Sequence, residues 1–162
     1  MVLENNLKIE KFNSEVLREY DIRGIVEKDL TQNTAYTIGR TFGYVVCSKF
    51  KEKTIVVGFD GRLTSPLLHK NLCKGLVDAG ANVISVGMGP TPMTYFAHFR
   101  LNSNAAIMVT GSHNPAEYNG FKMVLNKNPF YAEDIQMLQK IIDIPDLSIM
   151  PGSYKEINLK EE

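Results

Sequence analysis

The polar loop T-G-S-H-N-P, residues 110–115, carries the side chains in this sequence that are best suited to chemistry, and it follows an apolar run over residues 105–109. Glycine lets the backbone turn so that successive amides face inward and can bind an anion. A serine in such a loop, Ser112, can act as a nucleophile or as the carrier of a phosphoryl group. Glycine, serine, asparagine and proline are also the ordinary residues of turns, so a purely structural turn remains open.

Two well-known motifs of similar composition do not match this loop. A serine hydrolase elbow has the pattern Gly-x-Ser-x-Gly, and Asn114 stands where its second glycine belongs. A phosphate-binding P-loop has Gly-Lys-Ser/Thr, which does not occur in the sequence. The pattern therefore argues against both.

Three cationic side chains are candidates for contact with a phosphate at this loop. Lys122 follows in Y-N-G-F-K, and a hairpin-like turn at residues 119–120 would fold its strand back beside the serine. Its ammonium could then pair with a phosphate or lend a proton. Arg23 in Y-D-I-R-G and Arg62 in G-F-D-G-R stand near glycines in loop contexts, and guanidinium groups suit phosphate. A solvated side chain is the alternative at all three positions.

The sequence contains no metal-binding signature. Its seven aspartates include no Asp-x-Asp pair, and its cysteines and histidines lack ligand spacing. His69 and His98 lie within helical patterns, which favours structural or surface roles for both.

The elements that must position these side chains alternate between helices and strands. Helices are predicted over residues 33–50, 65–80, 90–102 and 132–143, and strands over residues 54–60, 81–88, 105–110 and 120–126. This order predicts an α/β fold, a three-layer α/β/α domain with a mostly parallel (mixed) sheet. Ligands bind beyond the carboxyl ends of such strands, so the loops 58–62, 87–92 and 110–115 are expected to converge at one edge.

The composition describes a globular domain without charge bias. Of the 162 residues, 18 are Lys or Arg and 18 are Asp or Glu, so nothing indicates a nucleic-acid partner. The charged start resembles no secretory signal, and no apolar run approaches the ~20 residues of a membrane span. Cys47 and Cys73 lie in apolar, helix-like segments and are expected to be buried thiols rather than a disulfide, which fits a cytoplasmic location.

Five elements in order give the chain a resemblance to the first domain of the α-D-phosphohexomutases, the phosphomannomutase/phosphoglucomutase family. They are Y-D-I-R-G at 20–24, G-F-D-G-R at 58–62, P-T-P at 90–92, T-G-S-H-N-P at 110–115 and Y-N-G-F-K at 118–122. The resemblance covers roughly residues 16–150, with residues 1–15 as an N-terminal extension and residues 151–162 as a linker toward further domains.

The resemblance implies a role for each residue of the loop and its surroundings. Ser112 corresponds to a serine that is phosphorylated in the resting enzyme and that exchanges its phosphoryl group with a hexose phosphate through a 1,6-bisphosphate. His113, Lys122 and Arg23 are expected to flank and neutralise the reacting phosphate. Tyr20, Arg62 and Asn114 are expected to line or brace the phosphate-binding cleft. The phosphate on Ser112 would give one oxygen to Mg²⁺.

The family pattern also extends beyond this chain. In the family, the other Mg²⁺ ligands, the sugar-selecting loop and a second phosphate clamp lie in three later domains, so the isolated chain is expected to be inactive. The alternatives are a stand-alone module that binds phosphate or sugar phosphate without turnover, and a short gene product that associates with a separate remainder. Glu19 departs mildly from the family's usual motif before Y-D-I-R-G.

Overall fold

A seven-stranded sheet forms the centre of the protein, whose computed structural model describes residues 6–144 and 150–159. The strands are β1 (Ile22–Ile25), β2 (Thr54–Phe59), β3 (Asn82–Met88), β4 (Ala105–Val109), β5 (Tyr118–Leu125), β6 (Asn128–Pro129) and β7 (Tyr154–Glu156). Their order across the sheet is β1-β5-β4-β2-β3-β7, and β6 pairs with β5.

The strand directions bring the ends of three strands to one edge. β2 runs parallel to β3 and to β4, with Phe59 opposite both Met88 and Val109, so their carboxyl ends lie side by side. β7 continues the parallel part beside β3. β5 returns antiparallel to β4 and pairs antiparallel with β1 and β6, which makes the sheet mixed. The three loops that were expected to converge at one edge do so.

In the part of the chain that the structure describes, four α-helices cover the two faces of the sheet. They are α1 (Gln32–Lys49), α2 (Ser65–Asp78), α3 (Thr91–Arg100) and α4 (Glu133–Ile141), and a 3₁₀ helix spans Ser14–Val16. α1 begins at Thr31 with a reciprocal capping box to Thr34, and α2 carries a proline in its first turn, where no backbone donor is needed. The larger core packs α1, α2 and α4 on one face, and a smaller one packs α3 on the other. The predicted three-layer α/β/α fold is confirmed.

Two glycines let α1 and α2 approach each other at backbone distance. A Cβ atom on Gly39 would overlap the carbonyl oxygen of Leu72, and one on Gly75 would overlap that of Tyr36. Each added Cβ would also lie 3.0 Å from the Cα of the other glycine. The two helices therefore cross at this pair, a contact that only residues without a side chain permit.

Two segments that were expected to be irregular belong to the sheet. Arg23, expected in a loop, lies in β1, whose four residues pair with β5 along residues 118–121. Residues 119–120 lie inside β5, so the chain reverses before them rather than in a hairpin-like turn there. The return of this strand beside the serine loop still holds, because Lys122 pairs with Met108 of β4.

Both predicted flanking segments contact the domain. In the expected N-terminal extension, Phe12 is buried in the larger core and Glu10 accepts hydrogen bonds from the hydroxyls of Thr31 and Thr34. In the expected linker, residues 154–156 form β7, and Ile157 and Leu159 pack on the smaller core. Sequence periodicity gives no signal for β7 because all three of its residues are exposed at the sheet edge. Residues 1–5, 145–149 and 160–162 lie outside the described residues.

The cysteines and two of the histidines have structural positions. Cys47 is half-buried, Cys73 is buried, and both are free thiols, as expected. His69 and His98 are buried, and their rings approach the hydroxyls of Ser85 and Ser103 at 3.1 and 2.6 Å. Within the described residues, no helix is long and apolar enough to cross a membrane.

Acid is expected to destabilise the fold through His69. Burial lowers the pKa of His69 from 6.5 to about 4, against a smaller opposing effect of Glu156. Between these values the unfolded chain binds a proton that the folded chain does not, so the free energy of unfolding falls as the pH falls. The loss at pH 5 relative to pH 7 should be about 2 kcal/mol.

Urea unfolding at pH 7 and pH 5 would measure this effect. His69→Gln should remove most of the difference between the two pH values, while His98, whose pKa burial also lowers, keeps a part of it. An unchanged pH dependence in His69→Gln would contradict the assignment.

Candidate functional site

The candidate site lies where β2 and β4 end beside each other. The amide of Asp60 donates to the carbonyl of Val109 at 3.0 Å, and the amide of Thr110 donates to the carbonyl of Gly120 at 2.9 Å. The residues just after two neighbouring strands are thus tied to the sheet, as is Gly89 after β3, whose amide donates to Phe59 at 2.9 Å. The loop that carries Ser112 begins from this fixed edge.

Ser112 has an unusual backbone conformation. Its φ is 54°, in the left-handed region that residues with a side chain seldom adopt. The amide of Ser112 donates to the hydroxyl oxygen of Thr110 at 3.0 Å. The loop then closes on Gly111, whose carbonyl accepts from both the amide and the side-chain nitrogen of Asn114, at 3.0 and 2.8 Å. These bonds hold the serine at the crest of a tight turn rather than in a flexible segment.

Arg62 lies beneath this turn and braces it. Its two terminal nitrogens donate to four backbone carbonyls at 2.6 to 3.1 Å, those of Ser112, Asn114, Pro115 and Tyr118. Its Nε lies 3.4 Å from a carboxylate oxygen of Asp60. These four hydrogen bonds use all four N–H donors of the two terminal nitrogens. Arg62 is therefore placed to brace the loop, and a phosphate would have to displace one of these carbonyls to bind it.

The packing of Arg62 explains the glycine that precedes the serine. A Cβ atom at position 111 would lie 2.7 Å from Nη1 of Arg62 and would overlap two more guanidinium atoms. Any larger residue at position 111 would displace the guanidinium from the loop. The sequence T-G-S thus requires glycine here to leave room for the arginine.

Asp60 joins the two loops through both carboxylate oxygens. Oδ1 accepts from the hydroxyl of Ser65 at 2.5 Å and from the amide of Arg62 at 3.1 Å. Oδ2 accepts from the hydroxyl of Thr110 at 2.8 Å and from the amide of Gly111 at 3.2 Å. Burial by itself would raise the pKa of Asp60, but the four hydrogen bonds together outweigh it and hold the pKa below its usual 3.8. The carboxylate is therefore ionised at neutral pH.

Arg23 points to the mouth of a cleft next to the serine loop. Its Nη2 forms an ion pair with Asp21 at 2.7 Å, and its Nη1 lies 3.5 Å from the side-chain oxygen of Asn114. The cleft has a volume of about 480 Å³ and is lined by Arg18, Glu19, Tyr20, Asp21, Arg23, Asn114, Pro115 and Tyr118. Three of the residues predicted from the sequence therefore meet here, namely Tyr20, Arg23 and Asn114.

Lys122 and Arg23 lie on the same face of the sheet. Arg23 pairs with Gly120, and positions 120, 122 and 124 share one face of the sheet because β5 alternates. Phe121 and Met123 point the other way, into the larger core. Lys122 is one residue pair from the end of β4, which places it near the start of the serine loop. His113 follows Ser112 directly and is exposed.

Tyr20 stands at the rim of the cleft and stacks on Tyr131. The two rings are nearly parallel, with centroids 6.4 Å apart, and the Tyr20 side chain is 70% exposed. A hydrogen bond with Glu19 raises the pKa of the Tyr20 hydroxyl, and the negative charge of Glu19 adds to this effect. The amide of Ala132 donates to the carbonyl of Glu19 at 2.6 Å and holds the segment with Tyr131 against this rim.

The sequence interpretation missed Asp60, Thr110, Asp21 and Tyr131 as residues of this site. Asp60 and Thr110 have a detectable signal, since each is the polar last residue of one of two predicted parallel strands. Such positions lie side by side when the strands are neighbours. Tyr131 has no such signal, because its contact with Tyr20 joins parts of the chain that are far apart in sequence.

The residues of the site do not form a magnesium site by themselves. Among the residues that the structure describes, no group of three or more His, Cys, Asp or Glu could hold a metal ion. Asp21 is paired with Arg23, and both oxygens of Asp60 accept hydrogen bonds from the loops. The carboxylates of the site are thus engaged in positioning protein groups.

Comparison with known proteins identifies the family of this fold and site. Residues 14–146 match the family model described as phosphoglucomutase/phosphomannomutase, alpha/beta/alpha domain I. The chain is 44% identical over 144 residues to a phosphomannomutase/phosphoglucomutase of Pseudomonas aeruginosa, covering 89% of this chain and 31% of that protein. It is 45% identical over 132 residues to a phosphoglucomutase of Neisseria gonorrhoeae, covering 80% of this chain and 28% of that protein.

A solved structure gives the same result. The crystal structure of a phosphoglucomutase/phosphomannomutase family protein from Burkholderia thailandensis superposes with a TM-score of 0.85 at 39% identity, covering 93% of this chain and 34% of that one. The chain therefore spans about a third of the length of the relatives it matches. With its sheet, its serine loop and a family match over residues 14–146, this chain belongs to the phosphoglucomutase/phosphomannomutase family and corresponds to its α/β/α domain I.

Proposed function

We propose that this chain is the catalytic-serine domain of a phosphohexomutase that interconverts hexose 1-phosphate and hexose 6-phosphate, with mannose, glucose or both as the sugar. The observation that carries the proposal is the placement of Ser112, which stands in a left-handed conformation on a loop braced at four carbonyls. A group that must give up and take back a phosphoryl group benefits from such fixed geometry.

The proposed reaction consists of two transfers at Ser112. In the first, the bond between Ser112 Oγ and phosphorus breaks and the phosphoryl group passes to the 6-hydroxyl oxygen of a hexose 1-phosphate. The proton of that hydroxyl ends on Ser112 Oγ. The product is a hexose 1,6-bisphosphate. After this intermediate reorients in the site, the bond between its 1-oxygen and phosphorus breaks and that phosphoryl group passes to Ser112 Oγ. The serine proton ends on the 1-oxygen, and hexose 6-phosphate leaves. The serine is phosphorylated again, so the net reaction needs no further phosphate donor.

The cationic side chains have separate proposed roles in these transfers. Arg23 and Lys122, on the same face of the sheet, would neutralise charge on the phosphoryl oxygens as it shifts between the two partners. His113 would contact the reacting phosphate from within the loop. Tyr20 and Asn114 would line the approach through the cleft of about 480 Å³. Arg62 would act on the reaction through the loop that it braces.

Mg²⁺ is proposed as a cofactor of the complete enzyme, with one ligand from this chain, an oxygen of the phosphate on Ser112. The rest of the metal site and the selection of the sugar would come from the remaining two thirds of the relatives' length. We therefore expect this chain to show no turnover without them.

A fusion protein provides the test of the proposal. This chain is joined to the part of the Pseudomonas aeruginosa relative that follows the aligned region, and conversion of mannose and glucose 1-phosphates is measured with Mg²⁺ and a trace of hexose 1,6-bisphosphate. We expect turnover by the fusion and none by the 162-residue chain alone. Mass spectrometry should find the phosphoryl group on Ser112.

Either of two results would contradict the proposal. One is a fusion that unfolds cooperatively but shows no turnover. The other is an active fusion whose phosphoryl group is found on a residue other than Ser112. Binding of hexose phosphate by the chain together with an inactive, folded fusion would instead favour a binding module without turnover.

Neutralising Lys122 should reduce turnover without harming the fold. In Lys122→Met the loss of a charge-assisted contact to the phosphoryl group should lower kcat of the fusion by about 10- to 100-fold. Lys49→Met, in the last turn of α1, is the matched control and should keep kcat within about twofold. Equal losses of stability and of kcat in Lys122→Met would point to a structural role instead.

A further inference from the structure

We infer that Asp60 is a positioning residue for the phosphoryl-carrying serine and acts through the hydroxyl of Thr110. This inference rests on the function proposed for Ser112 and adds a residue that does not itself contact the phosphate. It depends on a chain of contacts that runs from the sheet to the serine backbone.

The first step of this chain is the anchoring of both residues to the sheet. Phe59 and Val109 are paired in the parallel register of β2 and β4, so Asp60 and Thr110 occupy equivalent positions just beyond the strand ends. Their amides donate to carbonyls within the sheet, at 3.0 and 2.9 Å. The carboxylate and the hydroxyl therefore start from positions that the sheet has already fixed.

The second step is the use of the Thr110 hydroxyl as a relay. It donates its proton to Oδ2 of Asp60 at 2.8 Å and accepts the amide proton of Ser112 at 3.0 Å. A hydroxyl that donates to an ionised carboxylate is oriented with its lone pairs away from it, toward the amide. The ionised state of Asp60 thus determines which way the Thr110 hydroxyl points.

The third step concerns the number of acceptors that Asp60 supplies. Each carboxylate oxygen accepts from two donors. Oδ1 accepts from the Ser65 hydroxyl and the Arg62 amide, and Oδ2 accepts from the Thr110 hydroxyl and the Gly111 amide. An asparagine would present one oxygen and one amide group, and the amide group would face two donors. Only a carboxylate can satisfy all four, which gives position 60 a requirement for charge as well as shape.

The last step relates this chain to the chemistry. The left-handed region is unfavourable for a residue with a side chain, so Ser112 stays there only because other contacts compensate. The hydrogen bond that its backbone amide donates to the hydroxyl oxygen of Thr110 is such a contact. If that bond is lost, the serine can relax, and its oxygen leaves the in-line position that phosphoryl transfer requires.

The first experiment measures the brace without reference to activity, on the 162-residue chain. Amide exchange of Ser112 is followed by ¹⁵N-resolved NMR in four variants, namely Thr110→Val, Asp60→Asn, Thr110→Ser and Thr41→Val. Exchange should be about fivefold faster in the first two, as expected for loss of one hydrogen bond. Thr110→Ser keeps the hydroxyl and should restore the slow rate.

Thr41→Val is the matched control, because it removes a buried hydroxyl that, among the described residues, donates to carbonyls of the same helix, those of Thr37 and Ile38. It should leave the exchange of Ser112 unchanged even if it lowers stability. Slow exchange of Ser112 in Thr110→Val would overturn the relay, whatever the function of the serine.

The second experiment measures whether the brace serves the reaction, in the active fusion described above. Thr110→Val should lower kcat by about tenfold or more and leave KM within about twofold, and Thr110→Ser should recover most of the loss. Faster exchange of Ser112 combined with an unchanged kcat would overturn the positioning role. Failure of the proposed function is recognised separately, by an inactive parent fusion whose isolated chain still shows the relay by NMR.

Discussion

Ser112→Ala is expected to abolish interconversion of hexose 1- and 6-phosphates by the fusion protein, with a fall in kcat of at least about 1,000-fold. The reason is covalent, because alanine lacks the oxygen that, in the proposed mechanism, carries the phosphoryl group between the two transfers. The backbone of the loop should remain as it is, since alanine also has a Cβ atom. The hydrogen bonds that Ser112 makes with Arg62 and Thr110 use its backbone carbonyl and its backbone amide, which alanine keeps. Stability should therefore change by less than about 0.5 kcal/mol.

The measurement combines a coupled mutase assay with thermal unfolding of the same preparations. Ser48→Ala is the control, since Ser48 lies on α1 and its hydroxyl donates to the carbonyl of Val45 in the same helix. This variant should keep full turnover. Near-normal turnover in Ser112→Ala would show that another residue carries the phosphoryl group and would remove the basis of the proposed mechanism.

The sequence predicts the helices and the buried strands of this fold because their apolar residues recur with a clear period. The predicted helix over residues 65–80 and the observed α2, Ser65–Asp78, begin at the same residue, where a proline in the first turn marks the start. The strand over 105–110 corresponds to β4, whose five residues are all buried. Such elements can be predicted from their own residues, since a helix buried on one face has periodic apolar residues and a strand buried on both faces is a continuous apolar run.

Two of the strands that were missed, β1 and β7, depend on contacts with distant segments. β1 contains an arginine and a glycine among four residues, and it becomes a strand by pairing with β5 almost a hundred residues later. β7 is polar and lies at the edge, where Gly152 allows the chain to approach the backbone of Ala81 closely. Local periodicity cannot register either of these causes.

For the candidate site, too, the sequence indicates which residue types are present but not how they are placed. Residue types and order are the basis on which Ser112 and the cationic residues around it are proposed as site residues. They were not enough to place Arg62, because a guanidinium that binds phosphate and one that binds carbonyls have the same sequence context. The distinction comes from the path of the loop, which presents four carbonyls to one side chain.

Helix propensity and packing make opposite predictions for Gly39, in the middle of α1. On propensity alone, Gly39→Ala should stabilise the helix by about 1 kcal/mol. The added Cβ, however, would overlap the carbonyl oxygen of Leu72 and lie 2.9 Å from the amide nitrogen of Leu76, both backbone atoms of α2. Backbone atoms cannot turn aside as a flexible side chain can, so α1 and α2 would have to move apart and loosen the larger core between them.

We therefore expect Gly39→Ala to lower the free energy of unfolding by about 2 kcal/mol or more, measured by urea unfolding at pH 7. Gly61→Ala is the matched control, because its Cβ would meet only the sulfur of Met88 at 4.0 Å and should change stability by less than about 0.5 kcal/mol. Gly75→Ala adds a methyl group to the same helix contact from the α2 side. Once the helices have separated for one methyl group, there is room for the second. The double variant should thus lose clearly less free energy of unfolding than the two single variants lose together. Full additivity of the two losses, or a Gly39→Ala variant more stable than the parent chain, would contradict the close crossing of α1 and α2.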